Sequence, residues 1–206
     1  MNMSEIYIPI TQRHPFIAVE GTHRDSRILL ARELATYLQG IYLRTPPGSM
    51  DPVKNMFNNH RGMLRKAYYS LCMYASAHSV FHTWRNQPVV TSGYWLDQVA
   101  FSVGHRFTLE NMPPRGDPIY EWPKDLLKPD LTFFINIPTI KFGHKPPNLF
   151  KPRFIEAFRR VDGVPVIEIN STGYYNKIFL QLRQHLKHVI NVGDHETAVI
   201  SSLMKT

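Results

Sequence analysis

Cysteine is almost missing from this chain: Cys72 is its single thiol, so no intramolecular disulfide can form. That scarcity fits a reducing compartment, and an isolated thiol without a family signature reads as a small buried apolar group. Long hydrophobic runs are missing too; no stretch approaches the roughly 20 apolar residues that a membrane-spanning helix needs. The opening residues Met1-Asn2-Met3-Ser4-Glu5 lack the basic, apolar and small-residue zones of a secretory signal, and they are too poor in arginine for a typical transit peptide. No membrane is therefore expected as a partner, and the cytosol is the favoured compartment. Acidic side chains are in deficit, 16 against 24 lysines and arginines, which leaves a net charge of +8. Such a balance favours anionic partners, nucleotides and acidic surfaces among them. The cations are dispersed rather than gathered in a tract, so nucleic acid is not expected as a partner.

What is present suits one packed domain. The 206 residues are 43% hydrophobic and 12% aromatic, with a core expected over about 15–190 and short tails at either end. Pro15 to Glu20, Ile41 to Leu43, Pro88 to Thr91, Leu131 to Ile137 and Val164 to Ile169 read as strands. Leu30, Leu34 and Leu38 recur every four residues and predict a helix between the first two strands, with Asp25 or Ser26 as its N-cap. A long helix is predicted from Met63 to Trp84, with Leu64, Tyr68, Leu71, Ala75 and Ser79 near one face. Further helices are expected over Trp95 to Phe107 and Phe154 to Val161, and at the C-terminus through Ile178, Leu182, Leu186 and Val189. Strands alternating with helices give an α/β fold, a doubly wound parallel sheet of about five strands flanked by helices. Asn111 to Pro123, rich in proline, is an irregular excursion.

Phe16-Ile17-Ala18-Val19-Glu20-Gly21 reads as a buried strand entering a phosphate loop. A working loop of that kind needs a second glycine, a lysine and then Ser or Thr, because backbone amides cradle phosphate, the ammonium reaches outer phosphates and the hydroxyl holds Mg²⁺. Those positions hold Ser26, Arg27 and Ile28. The Cβ of Ser26 crowds the backbone, Arg27 offers a wide planar fork, and Ile28 has no ligand for a metal. Asp25, at the start of the helix, repels the phosphates that free amides would attract. No metal site is expected. His185 and His188 lie one turn apart without a third ligand, and Glu156, Glu168 and Asp130 make no acid–base pair. Lys151, Arg153, Arg159 and Arg160 form the densest basic stretch and read as a solvated helix face.

Leu43-Arg44-Thr45-Pro46-Pro47, Arg65-Lys66-Ala67-Tyr68-Tyr69-Ser70-Leu71, Tyr94-Trp95 and Pro118-Ile119-Tyr120-Glu121-Trp122-Pro123 with Asp125 to Leu131 carry a resemblance. Over about Pro15 to Ile190 the chain resembles the thymidylate kinase family of P-loop nucleoside monophosphate kinases, most closely its mitochondrial UMP-CMP kinase branch. The resemblance implies a mitochondrial alternative to the cytosol, and a homodimer or other protein partner. It implies transfer of a phosphoryl group from ATP-Mg²⁺ to a pyrimidine monophosphate, chemistry that depends on positioned cations. The family carries an aspartate where this chain has His23, and an Asp-Arg pair where it has Ser92-Gly93, so the acceptor clamp is lost. Tyr94 and Trp95 are retained as core. The family's arginine-bearing lid is replaced by a short stretch, Pro138 to Leu149, with Lys141 and Lys145. Gly21, Arg44 and Tyr69 match nucleotide-binding positions, Arg44 for the acceptor phosphate and Tyr69 for the pyrimidine ring. Arg24 matches the catalytic arginine that one class of these enzymes carries in this loop. The expectation is a pseudokinase that binds a pyrimidine monophosphate or a protein partner, with no cofactor. The alternative is a weak pyrimidine monophosphate kinase in which Arg24 and Arg27 replace the lost cations and ATP and Mg²⁺ are bound.

Overall fold

Alternate residues of the first strand face two different helical layers, and that division organises the molecule. The computed structural model describes residues 12–60, 62–137, 149–170 and 175–189. Strand β1 (Phe16–Gly21) is buried along its whole length, as expected for a central strand of a parallel sheet. Phe16 and Ala18 face one core with Tyr94, Val99, Phe134 and Phe158, whereas Ile17 and Val19 face another with Leu30, Leu34, Leu182 and Leu186. Glu20 shares the parity of Phe16 and Ala18 and so points into the first of these layers.

Five parallel strands lie in the order β2-β3-β1-β4-β5, with β2 at Ile41–Arg44, β3 at Val89–Ser92, β4 at Leu131–Asn136 and β5 at Val166–Asn170. Helices α1 (Arg24–Tyr37) and α6 (Tyr175–Val189) cover one face. Helices α3 (Met63–Thr83), α4 (Trp95–Arg106) and α5 (Phe150–Arg160) cover the other, and a short helix α2 (Asp51–Asn58) precedes α3. The expected doubly wound sheet is thus present. At the end remote from the helix N-termini, Arg13 grips Asp130 through two 2.7 Å bonds, lies over the Trp84 ring at 3.9 Å, and leaves Asp130 to accept the Phe16 amide at 2.7 Å.

Several local expectations are corrected. His23, not Asp25 or Ser26, is the N-cap of α1: its Nδ1 accepts the Ser26 amide at 3.3 Å, and Asp25 sits exposed in the first turn. The buried stripe of α3 is Tyr68, Cys72, Met73, Ser76, Ala77 and Val80, while Leu64 and Leu71 are exposed. Small residues on that stripe let α3 approach the sheet, so leucine spacing alone picks the wrong side. Helix α5 begins at Phe150, four residues before the expected start, and β5 runs two residues later at its N-terminal end. The prolines of 111–123 are tied down by Tyr120 donating to the Pro113 carbonyl and Trp122 to that of Leu126, both at 2.9 Å.

The basic stretch of α5 is not merely a solvated face. Arg159 holds Glu168 at 2.7 and 2.9 Å, and Arg160 reaches Glu156 at 2.8 Å together with the carbonyls of Met112 and Pro113. Arg153 donates to Leu149 and Phe107 carbonyls. Asp130, Glu156 and Glu168 are therefore not isolated; each carboxylate has an arginine. The segment with Lys141 and Lys145 and the side chain of His188 lie outside the described residues. Among the described residues no helix is long and apolar enough to cross a membrane, and no cluster of three metal-ligating side chains occurs.

Candidate functional site

Strand β1 ends at Gly21, and there the backbone permits nothing larger. Its φ is +151°, and a Cβ would lie 2.3 Å from the Ile135 carbonyl oxygen on β4. Only Thr22 and His23 separate the strand from α1. Three amides around this turn are committed within the protein. Thr22 N–H donates to Ile135 at 3.3 Å, Ser26 N–H to His23 Nδ1, and Arg27 N–H to the His23 carbonyl at 3.2 Å. The Ser26 hydroxyl shares a 2.8 Å hydrogen bond with the His23 ring.

Arg27 turns back across the ends of β1 and β3. Its Nη1 donates to the Gly21 carbonyl at 3.1 Å and forms an ion pair with Asp97 on α4. Gly93 makes room for this: a Cβ there would meet Arg27 Nη2 at 3.3 Å and Asp97 Oδ2 at 3.4 Å, and its φ is +76°. Glu20, fully buried, accepts the Asp97 amide. Burial first, and then the Asp97 charge, push the Glu20 carboxyl well above the ordinary range, while Arg27 pulls the other way. Burial also raises Asp97, opposed chiefly by Arg27. Asp97 alone holds the guanidinium directly; Glu20 feels its charge and leaves one buried carboxyl oxygen without a partner. A glutamate in an otherwise apolar strand was the sequence signal for this trio, because a buried carboxyl needs a cation or a proton.

Beside the trio opens a cavity of about 830 Å³ bounded by the β1–α1 turn, the start of α3, the outer side of α4 and the first turn of α5. Tyr69 lines it, donating its hydroxyl to Asn58 at 3.0 Å, with the Arg65 guanidinium 5.9 Å from the ring centroid. Phe101, His105 and Phe150 form an aromatic wall; His105 stacks on Phe150 at 4.2 Å and meets Phe101 edge-on at 4.3 Å. Arg24, Lys66 and Arg106 add positive charge, and Arg24 is 75% exposed with Asp25 at 3.7 Å. Gln98 and Ser102 supply uncharged polar groups. Sequence reasoning missed this α4 wall, although Gln98, Phe101, Ser102 and His105 recur at helical spacing.

Gly21, Arg24, Arg27 and Tyr69 are brought together around the cavity. Arg44 is not: it sits at the end of β2, half exposed, paired with Asp51 in the first turn of α2. Ile28 is half-buried on α1, and Ser92 shares a 2.7 Å hydrogen bond with Tyr42. Tyr94 is core as expected, edge-on to Phe16 at 5.3 Å with its hydroxyl on the Leu127 carbonyl. Trp95 is half-buried against the same core.

Sheet order, flanking helices and the turn after β1 define a P-loop kinase fold of the nucleoside monophosphate kinase type. Among solved structures, the chain is similar to thymidylate kinase from Candida albicans, with a TM-score of 0.61 and 14% identity over 85% of this chain and 92% of that one. It is also similar to deoxyadenosine kinase from M. mycoides, at a TM-score of 0.55 and 10% identity over 84% and 100% of the two chains. In sequence it is 28% identical to human UMP-CMP kinase 2, mitochondrial, over 123 residues, 59% of this chain. The match spans 27% of that relative's length. No protein-family model matches the chain.

Proposed function

We propose that this chain is a pseudokinase: a nucleoside monophosphate kinase fold that binds a pyrimidine nucleoside monophosphate, or a protein partner at the same face, without passing phosphate from ATP. The observation that carries this is Arg27. It stands where the phosphate loop would place its lysine, yet its charge is spent on Asp97 and Gly21. The donor set does not fit a magnesium-triphosphate. Ile28 has no oxygen, the Ser92 hydroxyl is shared with Tyr42, and Glu20 and Asp97 are held around Arg27. Each preorganised donor removed from such a site costs about 10²–10³ in rate, which leaves phosphoryl transfer without its electrostatic basis.

Ligand binding is supported separately. The cavity has the size of a small-molecule site, with aromatic faces at Tyr69 and Phe101 and cations at Arg24, Arg65 and Arg106. The names of the similar proteins, thymidylate kinase and UMP-CMP kinase, favour a pyrimidine. A reducing compartment, cytosolic or mitochondrial, goes with this reading.

A thermal-shift panel of UMP, CMP, dTMP, uridine and ATP, with and without Mg²⁺, tests it. A monophosphate at one hundred times its Kd should raise the midpoint by roughly 5–10 °C. ATP-Mg²⁺ should add nothing. Absence of any shift leaves a protein partner or a second copy of the chain as the occupant. One observation favours a second reading, a weak kinase: Arg24 is exposed at the cavity rim rather than consumed. Diphosphate formation in a coupled assay, abolished by Arg24→Ala, would establish that instead.

A further inference from the structure

Near its C-terminal end, α3 carries two histidines on its exposed side. His78 and His82 stand four residues apart, so their rings share one stripe of the helix, and their Nε2 atoms approach to 3.1 Å. The ring centroids lie 4.4 Å apart. Both residues are exposed, and neither lines the cavity beside the β1–α1 turn. Phe81, packed against the core, meets His82 edge-on at 5.7 Å and braces that ring on one side. One turn N-terminal on the same stripe, Tyr74 donates to Asp125 at 2.8 Å, which adds negative charge to this side of the helix; Arg85, over the Phe81 ring at 5.5 Å, opposes it.

The gap between the two nitrogens is the bite of a chelate. An ion about 2.0–2.1 Å from each, the ordinary zinc–imidazole distance, subtends about 95–102° between them. That angle falls between the right angles of tetragonal Cu²⁺ and the roughly 109° of tetrahedral Zn²⁺. The helix already fixes both ligand backbones, so binding orders little more than the two rings. We propose that His78 and His82 form a two-imidazole site for a late first-row divalent cation, Zn²⁺ or Cu²⁺, which clips the C-terminal end of α3. The ion replaces the hydrogen bond between the rings. The bridging proton moves to Nδ1 of the ring that carried it, and both Nε2 lone pairs go to the metal. The ion's other positions are left to water, so the site is an accessible, exchangeable one rather than a closed structural centre. Imidazole suits these ions, whereas Mg²⁺ prefers oxygen ligands.

The experiment titrates Zn²⁺, Cu²⁺ and Mg²⁺ into the whole chain and into His78→Gln, His82→Gln and the double variant, by calorimetry. Glutamine is a good helix former and both positions are exposed, so the fold is kept, which circular dichroism checks. The chain has ten histidines, so the tightest site is the one to follow. The parent should bind one ion tightly, Cu²⁺ more strongly than Zn²⁺. Each single variant should lower Zn²⁺ affinity at that site by about 100-fold, since the second nitrogen no longer binds within the same molecule. The double variant should lose little more than either single one, because chelation is already gone. Zn²⁺ affinity within about threefold of the parent in either single variant would overturn the site. Displacement of Zn²⁺ by Mg²⁺ would also overturn it, by showing that carboxylates hold the ion.

Discussion

Replacing Arg27 with methionine removes the ion-pair partner of Asp97 and the nearby cation whose charge Glu20 feels. Glu20 is fully buried, and the Arg27 and Asp97 side chains are 18% and 13% exposed. Breaking a buried ion pair by deleting one partner costs about 3–5 kcal/mol, because the survivor keeps its desolvation penalty. For a chain of this size each kcal/mol lowers the thermal midpoint by about 2–4 °C, so Arg27→Met should lose about 6–20 °C at neutral pH. The loss should shrink in acid, where both carboxyls are protonated and need no cation. A second change, Asp97→Asn in the same chain, should recover part of it, since the carboxylate that loses its ion pair disappears. The assay is a pair of thermal scans near pH 7 and pH 4 on the three proteins. A midpoint for Arg27→Met within about 2 °C of the parent at pH 7 would refute the energetic importance of the trio.

Other outcomes follow from the same geometry. Glu20 has its carboxyl raised well above the ordinary 4.5, so between that value and its folded one the unfolded chain releases the proton first. Stability therefore falls as pH rises through this window, and Glu20→Gln should flatten its share of the slope in denaturant titrations run at several pH values. Gly21→Ala should cost about 2–6 kcal/mol in urea unfolding, combining backbone strain with a Cβ driven into the Ile135 carbonyl. Tyr69→Ala should weaken UMP by about 1–3 kcal/mol if the ring stacks on the base; unchanged affinity in calorimetry would restrict Tyr69 to packing.

Strands β1 and β4 were readable because buried parallel strands are continuous apolar runs, and α1 because its leucines recur at one-turn spacing. Alternation of strands and helices gave the doubly wound class, whereas the strand order comes from the structure alone. Helix α2 was not anticipated: it is eight residues long, and its core contact is Phe57, which stacks on Tyr68 without being fully buried. The exposed Leu64 and Leu71 show why leucine spacing misjudged α3: the buried stripe joins Tyr68 and Met73 to the small residues Cys72, Ser76 and Ala77. Within the site, Gly21, Arg24 and Tyr69 could be placed from motif positions alone. Arg44 could not, because Asp51, which diverts it, belongs to the helix that sequence failed to show. Of the Glu20–Asp97–Arg27 trio, the lone glutamate in an apolar strand was legible, but its neighbours were not, because they come from elements separated by up to 77 residues.

The solitary thiol on α3 has a practical consequence. Cys72 is wholly enclosed, and burial raises it above the usual thiol range, so a maleimide or iodoacetamide meets neither access nor thiolate while the helix is seated. Alkylation of this chain would then count openings of α3 from the sheet, one label per molecule. Ligands that quiet the domain should slow that clock, giving a label-based readout of occupancy that needs no knowledge of what the ligand is.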